Sequence, residues 1–109
     1  MIDEILDGCG VPWKRGGWYP TSPPDPPFAV LLESVEVGGA DLKVLEKVTS
    51  STIELYTDST GKKWQSALSL IEGALIGKNI SFERYQPVYI ESERWYLTVI
   101  ETKEQLTKL

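Results

Sequence analysis

The clearest patterning in the chain lies in residues 53–77, where a strand, a turn and a helix follow one another. Ile53-Glu54-Leu55-Tyr56-Thr57 alternates apolar and polar positions, Asp58-Ser59-Thr60-Gly61 is a polar turn, and a helix is predicted over residues 63–76. Trp64, Leu68, Ile71 and Leu75 recur at spacings of four, three and four, which gathers them within an arc of roughly 60° on one helical face. That face is predicted to be core. Ala67, Ala74 and Leu70 widen it, while Gln65, Ser66, Ser69, Glu72 and Gly73 fill the opposite side. Asp58, Ser59 or Thr60 is expected to cap the helix start, and Gly77 followed by Lys78-Asn79 to supply its left-handed stop.

The remaining elements are placed against this unit. Residues 1–7 carry Ile2, Ile5 and Leu6 on one side of a two-turn helix, which needs docking to be stable. Residues 11–27 hold Pro12, Gly16, Gly17, Pro20, Pro23, Pro24, Pro26 and Pro27, so an irregular arm is expected there. Its aromatics, Trp13, Trp18 and Tyr19, fit two readings equally. They either cover the chain's own core or grip a neighbouring subunit or partner. The run Phe28-Ala29-Val30-Leu31-Leu32 passes into alternation through residue 37, the pattern of a strand buried first on both faces and then on one. Gly38-Gly39 reads as a turn, and residues 40–45 as a short strand or a helical turn. With the strand of residues 48–57 this makes an antiparallel meander. Residues 80–85 and 95–102 read as strands, with a connection between them that has room for a short strand of its own. Residues 103–109 are polar and terminal, and are expected to fray or to form a short helix.

Composition narrows the function classes. A chain of 109 residues fits one domain, burying roughly two-thirds of its extended surface. Its net charge of −5 supplies no field that would favour nucleic acid or an anionic membrane. Cys9 is the sole cysteine and cannot form an internal disulfide, which suits a reducing compartment. The acidic start Met1-Ile2-Asp3-Glu4 is unlike a signal peptide, so the chain is expected to be soluble where it is made.

Candidate chemistry is sparse. The absence of histidine removes the commonest general base and metal ligand, and the single cysteine leaves no zinc site or Cys-His nucleophile. Glu91 and Glu93 would share one face of an extended segment, as a pair doing acid–base work would, but a solvated turn is the simpler account. Gly8-Cys9-Gly10 and Gly38-Gly39 lack the context of a phosphate loop, and Lys14-Arg15 and Lys62-Lys63 are isolated basic pairs. No catalytic, cofactor or metal site is assigned. The face formed by Ser66, Ser69 and Gly73 is either solvated or small enough for a neighbouring subunit to approach.

One resemblance adds a function. Pro26-Pro27-Phe28 before a strand, Gly39-Ala40-Asp41 after it, Ile53-Glu54-Leu55-Tyr56-Thr57, a long helix, and Ile90-Glu91-Ser92-Glu93 before an aromatic strand occur in an order that resembles the tail-completion, or tail-terminator, proteins of long-tailed bacteriophages and prophages. The likeness spans residues 26–101 and leaves out the tryptophan-bearing arm. It implies an α+β domain of a mostly antiparallel sheet, here four to five strands, with one main helix and a short N-terminal helix packed on it. It further implies a homo-oligomeric ring, commonly hexameric, at the head-proximal end of the tail tube. Such a ring stops tube growth and offers a surface to the head-completion or connector protein. DNA would pass through its lumen without specific binding, no catalysis or membrane would be involved, and assembly would take place in the bacterial host cytoplasm. Trp13, Trp18, Tyr19, Ser66, Ser69 and Gly73 are the interface candidates. Another neck component, a head–tail closure or adaptor protein, and a monomeric peptide-binding module are the alternatives.

Overall fold

The computed structural model describes residues 2–18, 21–38, 46–102 and 105–108. Tyr19, Gly39-Ala40-Asp41 and the segment 40–45 lie outside them. The elements run α1 (Ile2–Gly8), β1 (Trp13–Arg15), β2 (Phe28–Gly38), β3 (Glu46–Thr57), α2 (Lys62–Gly77), β4 (Phe82–Arg84), β5 (Val88–Ile90), β6 (Trp95–Thr102) and β7 (Gln105–Lys108). They build an α+β fold in which a seven-stranded, mostly antiparallel sheet carries both helices.

The sheet is ordered β1-β2-β3-β6-β4, with β5 also on β6 and β7 also on β3. The twelve-residue β3 is its spine: β2 pairs along the whole of one edge, while β6 and β7 share the other. Alternation on β3 decides which side faces the helices. Ile53 and Leu55 are fully buried beneath them, opposite Leu31 and Ala29 of β2, and Ile53 also faces Ile100 of β6. Ile2, Ile5 and Leu6 of α1 and Leu68, Ile71 and Leu75 of α2 close this one core. Docking supplies the stability that a seven-residue helix lacks alone.

Two segments differ from the sequence expectation. The arm of residues 11–27 is not irregular throughout, because Trp13-Lys14-Arg15 forms β1 and pairs parallel to Ala29-Val30-Leu31. The ladder is extended by Ala29 N–H donating to the Pro12 carbonyl and Gly16 N–H donating to the Leu31 carbonyl, both at 2.8 Å. A parallel pair needs a return connection of about a dozen residues, and residues 16–27 are that connection. Gly16 and Gly17, at φ +76° and +119°, make the reversal after β1 that other residues would resist. The second difference is the C-terminus: Gln105–Lys108 neither frays nor turns helical, but forms β7 against Glu46–Thr49 of β3. These additions, with β5, raise the sheet from the expected four or five strands to seven.

The start of α2 also differs from expectation. Gly61 is its N-cap and no side chain caps it; the Thr57 hydroxyl instead donates to the Ser59 carbonyl at 2.8 Å, bracing the turn from the strand side. At the other end Gly77 is still helical and Asn79 takes the left-handed position, at φ 56°. Asn79 N–H donates to the Ile76 carbonyl and Ile80 N–H to the Leu75 carbonyl, each at 3.0 Å, which is the Schellman arrangement. Leu70 leaves the predicted core face and stands 52% exposed.

The chain is elongated, 50 × 31 × 23 Å, with a radius of gyration of 15.4 Å. A compact chain near this length has about 13 Å.

Candidate functional site

The sheet has a second face, and it is aromatic. On β2, Phe28 and Val30 alternate with the core residues Ala29 and Leu31, so they point away from the helices, and both are buried. Leu32, next in that row, is 41% exposed, which marks where double-sided burial stops. Phe28 is covered from three elements. It stacks on Tyr56 of β3 at 5.0 Å between ring centroids, meets Trp95 of β6 edge-on at 5.1 Å, and takes Trp18 of the connection edge-on at 5.9 Å. Residues 16–18 and Pro23 on one side, and Ile90 and Glu93 on the other, turn this face into a cleft of about 430 Å³.

Its electrostatics are one-sided. Glu54 and Glu93 are the ionisable carboxylates of the lining, and no lysine or arginine lines it among the described residues. Tyr56 donates its hydroxyl to Glu54 at 3.3 Å. Burial, and then the Glu54 carboxylate, push the Tyr56 phenol up to about 12, so it remains a neutral donor well above ordinary pH. Lys14 lies just outside, with its ammonium 5.6 Å from the centre of the Trp18 ring. The Trp18 indole N–H is buried without an acceptor among the described residues.

A second concavity lies on the helix side. It is bounded by Gly10, Val11 and Pro27 on one flank and by Lys62, Lys63, Ser66, Ala67 and Leu70 of α2 on the other, with a volume of about 410 Å³. Among the described residues its charged lining is the reverse of the first: two lysines and no carboxylate.

The sequence candidates fall in separate places. Trp13 is half-buried against the helix-side core, and its indole N–H donates to Asp7 Oδ1 at 2.8 Å. Trp18 is on the opposite face, in the cleft, while Tyr19 is outside the described residues. Ser66, Ser69 and Gly73 are exposed on α2, and Ser66 joins the helix-side concavity. Glu91 and Glu93 do not share an extended face, because residues 91–94 form the turn between β5 and β6, with Arg94 at φ 58°. Of the two, Glu93 reaches the cleft.

The cleft itself went unread in the sequence. Its signal was present: Phe28, Tyr56 and Trp95 lie out of phase with the core positions Ala29, Leu55 and Ile100 on their strands. Large side chains at both parities of a strand mean that both faces of the sheet are covered.

No protein-family model matches the chain, and no curated protein matches it. Among solved structures, the fold is similar to that of a chain in the virion of a native gene transfer agent (GTA) particle. The TM-score is 0.62 over 100% of this chain and 85% of the other, at 15% sequence identity. At that identity the likeness is one of fold: this chain shares its α+β architecture, over its whole length, with a chain of a virion particle.

Proposed function

We propose that this chain is a structural protein of a phage-like virion, a subunit of the ring that closes the head-proximal end of a tail tube and receives the head connector. The observation that carries this reading is the full-length fold similarity to a chain of a virion particle. The segment order across residues 26–101 adds the tail-terminator assignment. A non-enzymatic role agrees with a chain that has no histidine and whose one thiol is buried. Exposed apolar side chains on α2, Leu70 at 52% and Ile76 at 64%, flank the small residues Ser66, Ser69 and Gly73 and suit a subunit contact. A net charge of −5 suits a lumen that passes DNA without holding it.

The test is assembly with and without the protein. Purified chain is expected to form a symmetric oligomer, alone or on tube ends, and its deletion to yield tubes of uncontrolled length. A strict monomer that neither binds tubes nor changes their length overturns the reading. Density on the portal side, away from tube ends, assigns it instead to a head–tail closure or adaptor role.

The aromatic cleft favours one second reading, a monomeric peptide-binding module. Deleting the arm cannot test this, because β1 belongs to the sheet. Trp18→Ala is the cleaner probe: loss of binding to a peptide panel by a folded monomer would support the module.

A further inference from the structure

We propose that the acidic aromatic cleft is the docking site for a second copy of this chain, whose α2 presents Lys62 and Lys63 to Glu54 and Glu93. The inference rests on the ring reading above and specifies its subunit contact.

Charge complementarity selects the occupant. Among the described residues the cleft has two carboxylates and no lysine or arginine, whereas the helix-side concavity has two lysines and no acid. Neither Glu54 nor Glu93 has an ion-pair partner among the described residues, and the same holds for Lys62 and Lys63. Two copies that each carry −5 repel on average. A contact between them therefore gains most where opposite local charges meet, and such pairs also fix the register.

Shape agrees with this choice. A helix is about 10–12 Å across with its side chains, too wide for a cleft of about 430 Å³, but long side chains reaching down from its first turn fit. Lysine stems are apolar and the head is cationic, so the stems meet aromatic walls while the ammonium groups reach the carboxylates. Lys14 beside Trp18 shows the same pairing of ammonium and indole within one chain. Leu70, which is 52% exposed two turns along α2, then covers the apolar rim.

The two patches lie on opposite faces of the sheet, so one copy cannot satisfy both with itself. Each copy gives its lysines to one neighbour and its cleft to another. That is a heterologous contact, which closes into a ring when the rotation allows.

Charge reversal on the full chain tests the pairing. Glu54→Lys/Glu93→Lys carries lysines on both patches, and Lys62→Glu/Lys63→Glu carries carboxylates on both. In sedimentation velocity, each alone is expected to associate about tenfold or more weakly than the parent. An equimolar mixture, and the quadruple variant, are expected to recover association. Circular dichroism checks the fold. Glu93→Lys alone, on an exposed turn, is the variant that leaves the Tyr56 hydrogen bond untouched, and it is expected to weaken association in the same direction. If the parent assembles and the charge variants assemble equally well, the docking proposal fails and the ring reading stands. Failure of the mixture and the quadruple variant to recover also overturns the pairing. A parent that stays monomeric in solution and on tube ends overturns both.

Discussion

Trp64 at the start of α2 donates its indole N–H to the Thr98 hydroxyl at the middle of β6, at 2.8 Å. The bond ties the helix to a strand 34 residues later in the chain, and it explains a polar side chain that is fully buried in the core layer. Removing the donor leaves Thr98 without that partner, so Trp64→Phe is expected to cost about 1–3 kcal/mol. Thr98→Val in the Trp64→Phe background should recover part of this loss. Urea denaturation of the two single variants and the double variant measures the coupling, which is expected to be clearly non-additive.

Stability should fall at alkaline pH through Tyr56. Its folded pKa lies at about 12, above the ordinary value of 10.0. Below 10 both folded and unfolded chains hold the proton, so the contribution is complete there. Between about 10 and about 12 the unfolded chain releases the proton while the folded chain keeps it, and stability declines. Tyr56→Phe is expected to flatten the loss over that interval. Ultraviolet titration of tyrosinate should show one late-ionising phenol in the parent that is absent from the variant.

One position on α2 and one just beyond its C-terminus should respond in opposite directions. A methyl group at Gly73 meets nothing within 4 Å, so Gly73→Ala should stabilise the isolated chain by about 0.5–1 kcal/mol through helix propensity. Asn79 holds the left-handed cap at φ 56°. Asn79→Val is expected to cost about 1–2 kcal/mol, and Asn79→Gly far less. Thermal melts of the three variants check the order.

Cys9 should react slowly with thiol reagents in the native chain. It is buried just after α1, against α2, and its thiol donates to the Ile5 carbonyl at 3.1 Å and reaches the Leu70 carbonyl at 3.5 Å. Burial also pushes the thiol pKa up, which lowers the reactive thiolate fraction. Labelling rates are expected to rise steeply in mild denaturant as α1 undocks.

How far the sequence could be read depended on segment length. β2, β3, β6 and α2 run for 8 to 16 residues, long enough for their period to appear. The double burial of Phe28-Ala29-Val30-Leu31 was visible as an unbroken apolar run, and all four are buried. β1 and β7 have three and four residues, and their pairing partners lie far away in the chain. No period can be read in so short a segment, and non-local pairing leaves no local trace. The left-handed stop expected over Gly77-Lys78-Asn79 falls on the last of the three, Asn79. Gly77 has the stronger general preference for a left-handed stop, but docking of Ile80 beside Leu75 sets the chain reversal two residues later. The cleft needed the strand registers, which bring Phe28, Tyr56 and Trp95 together from three strands.

The return connection from β1 to β2 has a thermodynamic consequence. Trp18 and Pro23 on this connection form one wall of the cleft, and β1 leads straight into it. Arg15, the last residue of β1, forms ion pairs with Asp3 of α1 and with Glu33 of β2. Whatever occupies the cleft therefore holds down a wall that is continuous with β1 and joined by charge to the N-terminal helix. By linkage, occupancy should slow amide hydrogen exchange in β1 and also in α1, which lies on the far side of the sheet from the bound group.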